Sequence, residues 1–194
     1  MDDELRAVRT EMLALLEEQA RLGTIDLYYG DESRVCEHGY VPYGWQFKGE
    51  KVGVPSTHGK GINCFGLLSR YNQFVFDTTE CTINADFVVE QLERFSLGLK
   101  KQTVVVLDNA KVHTSRKVKE RLVYWQNRGL YIFYLPPYCP HLNIIERLWL
   151  ELKARWLKPE DYSSAQSLFL ATVLALGAVG KDLFIQFSEF NFIN

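Results

Sequence analysis

A mixed α/β fold follows from three features of this 194-residue sequence. Thr103–Leu107 (TVVVL) is a continuous β-branched run of the kind buried on both faces of a parallel sheet. In the second half of the chain, short strand-like runs alternate with stretches of helical spacing, which implies right-handed crossovers and parallel pairing. In the first half, three strand-like stretches lie close enough in sequence to form an antiparallel meander.

The elements follow in order. Residues 4–22 place Leu5, Val8, Met12, Leu15, Leu16 and Leu22 at helical spacing between charges, predicting an amphipathic helix that docks on the domain or on a second copy. After Gly23, the apolar stretch TIDLYYGDE predicts a strand ending near Gly30. Residues 33–58, rich in Gly, Pro, Tyr and charge, read as an extended hairpin or loop region. Strands are expected at Gly61–Leu68 and Gln73–Asp77, with a polar turn at Ser69–Asn72. A helix follows over Asn84–Leu97, carrying Phe87, Val88, Leu92 and Phe95, then the TVVVL strand and a basic helix over Ser115–Gln126. Leu130–Leu135 is the last strand, stopped by Pro136-Pro137. Asn143–Leu157 reads as one helix with the stripe Ile145, Leu148, Trp149, Leu152 and Trp156. Ser163 with Gln166 is a capping-box signature for a final helix to about Leu176.

Composition excludes several classes. The 47% hydrophobic and 24% charged content belongs to a globular chain with a core, not to a disordered or disulfide-stapled one. A net charge of −2 disfavours coating nucleic acid through bulk charge and still allows a local basic groove. Cys36, Cys64, Cys81 and Cys139 form no C-x-x-C pair, which predicts reduced, mostly packed thiols. The N-terminus has no apolar leader, and the longest apolar run, Leu168–Val179, falls short of the ~18–20 residues needed to cross a bilayer. A soluble protein is expected.

Three acids fall where chemistry is usually placed. Asp31 follows the first strand, Asp108 follows TVVVL, and Glu146 lies in the first turn of the helix after the last strand. If the first and fourth strands are parallel neighbours, Asp31 and Asp108 converge at the sheet edge where open α/β sheets bind ligands. Carboxylates gathered there repel unless cations lie between them, and hard oxygen donors suit Mg²⁺. Two such ions support phosphoryl transfer with no covalent protein intermediate. Each acid also has a plainer role: Asp108-Asn109 and Gly30-Asp31 are turn signals, and Asn143 with Glu146 matches a capping box. Glu32 reads as a solvated or supporting acid.

The segments LYYGDESRV–GYVPYGWQFKGE (27–50), VVVLDNAKVHTS (104–115) and YLPPYCPHLNIIERLWLELK (134–153) resemble the catalytic domain of DDE transposases, in particular the bacterial insertion-sequence branch of the mariner superfamily. The Pro-Pro-Tyr-x-Pro-x-Leu-Asn-x-x-Glu-x-x-Trp pattern is the most specific. The resemblance implies an RNase H-like fold, with a five-stranded sheet flanked by helices. It divides the chain into an N-terminal helix (1–23), a catalytic domain (24–158) and a C-terminal helical extension packed on it (159–194).

It also implies that Asp31, Asp108 and Glu146 bind two Mg²⁺ (or Mn²⁺) ions, Asp31 bridging both, with 37 residues between the last two acids. Asn109, His113 and Asn143 are supporting residues, Asn143 capping the helix that aims Glu146. Lys111, Arg116, Lys117, Lys119 and Arg147 are candidate DNA contacts, with Lys48, Lys51 and Lys60 as a second group. Tyr40, Tyr43 and Trp45 are candidates for a clamp reaching a second subunit, against ordinary hairpin packing.

The activity implied is cleavage at transposon ends and joining of the 3′-OH to target DNA, commonly at TA, by a homodimer in the cytoplasm at the nucleoid. An RNase H-like nuclease without strand transfer, or a catalytically silent DNA- or partner-binding remnant, are the alternatives. Family members commonly carry Pro where Ile144 and Lys111 stand here. The helix-turn-helix module of full-length relatives is not expected in the ~23 residues before the first strand.

Overall fold

The computed structural model of the chain describes residues 2–37, 59–137 and 139–187. Its elements are α1 (Asp2–Arg21), β1 (Asp26–Cys36), β2 (Gly61–Leu68), β3 (Phe74–Thr79), α2 (Ala85–Leu97), β4 (Thr103–Leu107), α3 (Arg116–Asn127), β5 (Leu130–Tyr134), α4 (Ile145–Glu151) and α5 (Ala165–Ala178). The strands form one sheet in the order β3-β2-β1-β4-β5. The β1–β2 and β2–β3 pairs are antiparallel, while β1–β4 and β4–β5 are parallel. The meander and the parallel half are thus both present.

One boundary differs in a way that matters. The parallel ladder with β4 covers only Asp26–Tyr29, but β1 does not end near Gly30. It continues to Cys36, paired with β2 as far as Cys36↔Gly61. The long antiparallel partner supplies hydrogen bonds that the polar sequence Asp-Glu-Ser-Arg gives no hint of. Residues 38–58, which hold Tyr40, Tyr43, Trp45, Lys48 and Lys51, lie outside the described residues; Lys60 is exposed.

The two faces of the sheet build two cores. On one, Leu27, Tyr29, Val104 and Val106 pack with Leu13 of α1, Ile145, Leu148 and Trp149 of α4, and Leu168 and Leu176 of α5. On the other, Phe65, Leu67, Val105 and Leu107 pack with Val88 and Leu92 of α2 and Val118 and Trp125 of α3. This alternation along β4 is why its sequence is apolar throughout.

The stripe expected to dock α1 faces outward instead: Leu5, Val8, Met12, Leu15 and Leu22 are exposed, and of that set only Leu16 packs on the core. Leu13 and Glu17 face the sheet. The Glu17 carboxylate accepts from the Tyr29 hydroxyl and from Arg70 Nε at 2.7 Å. That buried charged knot fixes the helix's rotation, since an unpaired Glu17 there would be costly.

The helix expected over Asn143–Leu157 is regular only over Ile145–Glu151 and widens into a π-helical turn over Leu152–Trp156. Ser164, not Ser163, caps α5, accepting from Ser167 N. Cys64 and Cys139 are buried, Cys36 is half-buried, Cys81 is exposed, and all four are free thiols. No described helix is long and apolar enough to cross a membrane.

Candidate active site

Asp31 lies two residues past the last β1–β4 pair, on the antiparallel part of β1, opposite Gly66 of β2. It shares the face of Tyr29, toward α4, where Trp149 Nε1 donates to its Oδ2 at 3.2 Å. The side chain that would stand at Gly66 is missing for a reason: a Cβ there would sit 2.6 Å from Phe74 Cε2 and 3.2 Å from Ile145 Cδ1. The bare glycine lets α4 approach the strand that carries Asp31. Burial, followed by the like charges of Glu32 and Glu146 and then of Asp108, pushes the Asp31 carboxyl up to about 7. Glu146 and Asp108 therefore both lie near enough to Asp31 to act on it as like charges.

Asp108 follows β4 directly. Its Oδ1 accepts from Ala110 N at 2.9 Å and faces His113 Nδ1 at 2.6 Å. The His113 bond is the main reason that its carboxyl is held below the ordinary range, against partial burial. His113 is fully buried, and its Nε2 stands 3.0 Å from Glu32 Oε2, an ion-pair separation without the alignment of a hydrogen bond. Burial alone would lower its pKa; the two carboxylates outweigh it and raise it to about 9.

Glu146 is exposed in the first turn of α4. Asn143 is buried beneath it but does not cap the helix: its Nδ2 donates to Gly30 O at 3.1 Å, tying the start of α4 to β1. The helix start has tertiary structure to hold it, so the local capping bond is replaced by a long-range one. Asn109 Nδ2 donates to Leu135 O at 2.6 Å, joining the loops after β4 and β5. Asp108 and Asn109 line a pocket of about 370 Å³ with Leu135, Pro136, Pro137, Cys139 and Pro140.

Of the candidate DNA contacts, three are engaged in ion pairs: Arg116 with Glu120, Lys117 with Asp86, and Arg147 with Glu151. Lys111 and Lys119 are exposed with no acidic partner among the described residues. Glu32, read as a solvated or supporting acid, stands against His113. The Asp-x-x-x-x-His spacing behind β4 is the signal for the Asp108–His113 contact; Glu32's partner lies far along the chain and has no local signal.

Among the described residues, no three His, Cys, Asp or Glu side chains are gathered closely enough to hold one ion. The donor set nevertheless fits a hard divalent cation. It is all carboxylate oxygen, and the raised pKa of Asp31 reports negative charge that His113, committed to Glu32 and Asp108, does not neutralise.

The sheet order and flanking helices are those of the RNase H-like catalytic cores of transposases and integrases. The likeness extends to the Mos1 transposase paired-end complex with left transposon end (17% identity, TM-score 0.52, 91% of this chain and 61% of that one). It extends also to a pre-cleavage Mos1 transpososome (15% identity, TM-score 0.56, 93% and 60%). The catalytic core domain of BIV integrase aligns with 15% identity and a TM-score of 0.50, covering 81% and 85%. The chain belongs to the DDE superfamily endonucleases, whose family model matches residues 26–169. It spans about three fifths of the Mos1 chains it resembles. No curated protein matches it.

Proposed function

We propose that this chain is the catalytic domain of a DNA transposase that cuts at transposon ends and joins the freed 3′-OH to target DNA, commonly at TA, as a homodimer. The observation that carries this reading is the like-charge effect of Glu146 and Asp108 on Asp31 in an RNase H-like fold. Asp31, Asp108 and Glu146 are the residues that would hold Mg²⁺ or Mn²⁺, two ions in all. Bound there, the metal would supply an activated oxygen nucleophile and charge stabilisation at phosphorus.

The chain's own residues set the stage. Trp149 orients Asp31, Ala110 N and His113 hold one oxygen of Asp108, and Asn143 ties the start of α4, the helix that carries Glu146, to β1. Lys111 and Lys119 are free to meet phosphates, with Arg116, Lys117 and Arg147 joining them by exchanging their present acidic partners.

The test uses duplex DNA containing the sequence that flanks the coding region, with Mn²⁺ or Mg²⁺. Metal-dependent nicking and joining of a 3′-OH oligonucleotide are expected, and both should vanish in Asp108→Ala and Glu146→Gln. Nicking that persists in those variants overturns the assignment. Nicking without joining, or hydrolysis of an RNA–DNA hybrid in its place, would instead mark a nuclease of the same fold.

A further inference from the structure

Because β1 runs on through Asp31 to Cys36, neighbouring residues on it point to opposite faces of the sheet. Asp31 turns to Trp149 on the α4 face, and Glu32 turns to His113 on the other. His113 lies between β4 and α3, edge-on to Phe65 with ring centroids 6.4 Å apart, and its carbonyl accepts from the Tyr134 hydroxyl at 2.9 Å. The ring is walled in and faced at both nitrogens by acids from two neighbouring strands, Asp108 just past β4 at 2.6 Å and Glu32 within β1 at 3.0 Å.

We propose that Glu32 and His113 are positioning residues for Asp108. The inference rests on Asp108 being a metal-binding acid and deepens that reading. Both hydrogen bonds to the Asp108 carboxylate, from Ala110 N and from His113, fall on Oδ1. The group is therefore pinned by one oxygen, with Oδ2 left for the site. Glu32 engages the far nitrogen and stops the ring from turning, so the middle of β1 and the loop after β4 are held in one register. The consecutive acids divide their work by strand alternation: Asp31 faces the reacting groups, and Glu32 holds the ring that holds Asp108. A carboxylate pinned in this way binds an ion without first being ordered, and groups that orient ligands from outside typically contribute about 10–100-fold to metal affinity or activity.

The experiment titrates Mn²⁺ into the metal-free chain by calorimetry, alongside thermal melts and DNA nicking, for wild type, Asp108→Ala, His113→Asn, His113→Gln and Glu32→Gln. The Asn amide reproduces the Nδ1 donor that reaches Asp108, and the Gln amide reproduces the Nε2 side that reaches Glu32. His113→Gln should weaken Mn²⁺ binding about 10–100-fold, Glu32→Gln should weaken it by less, and His113→Asn should stay nearest to wild type. That rank order is what a merely structural role would not produce, since both His113 variants lose one of the two contacts. If Asp108→Ala abolishes Mn²⁺ binding while His113→Gln and Glu32→Gln bind as wild type does, the positioning role is wrong and the metal site stands. If Asp108→Ala itself leaves Mn²⁺ binding unchanged, the metal reading fails and the positioning role falls with it. Should His113→Gln not fold, the shape-preserving Glu32→Gln decides: undiminished Mn²⁺ affinity and nicking overturn the proposal.

Discussion

Asp31, within β1, and Asp108, just past the end of β4, are the same residue type on neighbouring strands, yet their surroundings drive them apart. Asp31 is half-buried among like charges, with one indole N–H as its side-chain donor, and its carboxyl rises to about 7. Asp108 is half-exposed, bonded to a protonated imidazole and a backbone N–H, and its carboxyl is held low. The contrast shows where the fold has supplied counter-charge and where it has not. On the β4 side the protein brings its own cation. On the β1 side it brings three acids to a half-buried carboxylate and leaves the balancing charge to be supplied from outside. A site that binds a cation should be strained without it in this one-sided way.

The sharpest way to break this comparison is to neutralise each acid in turn. In the metal-free chain at pH 7, Asp31→Asn should stabilise the fold by about 1–3 kcal/mol by removing a half-buried charge among like charges, and Asp108→Asn should destabilise it by a similar amount through loss of a charged hydrogen bond. Denaturant melts give both values, and equal signs would undo the contrast. Next in size, Gly66→Ala should cost about 1–3 kcal/mol, because its Cβ meets Phe74 and displaces Ile145 of α4. Nicking should fall further than stability does, since Glu146 moves with that helix; an unchanged rate would show that α4 is not held by this contact.

The pH dependence follows with its sign fixed. Asp31 has a folded pKa raised from 3.8 to about 7, so the native state binds the extra proton between those values. Stability of the metal-free chain from this group should fall as pH rises from 4 to 7, by at most about 1.4 kcal/mol per unit. His113 adds stability that is present below 6.5 and lost as pH rises through about 9. Melts across pH in wild type and Asp31→Asn isolate the acid's share, which Asp31→Asn should remove. The smallest effect is expected of Trp149→Phe, which keeps the packing and deletes the indole donor to Asp31. It should cost about 1 kcal/mol and raise the carboxyl's proton affinity further, visible in the Asp31 side-chain carbon resonance. No shift there would remove the indole from the account of this site.

What could be read from residues alone was what local periodicity and punctuation encode. TVVVL is buried at every position because both sheet faces are covered, and the motifs around Asp108 and Glu146 stand at the end or start of elements that are individually recognisable. The tertiary structure decided what depends on partners far along the chain. β1 continues past Gly30 because β2 offers it a ladder, and that continuation, not the sequence Asp-Glu itself, sends Glu32 to His113. Asn143 has the spacing of a cap and is used as a tie to Gly30. α1 carries two apolar stripes, and the richer one faces outward, because the buried Glu17–Arg70–Tyr29 knot settles its rotation more strongly than a few leucines do. Periodicity reports that a helix has a face to bury. Only the pairing of buried charges across the fold determines which face that is.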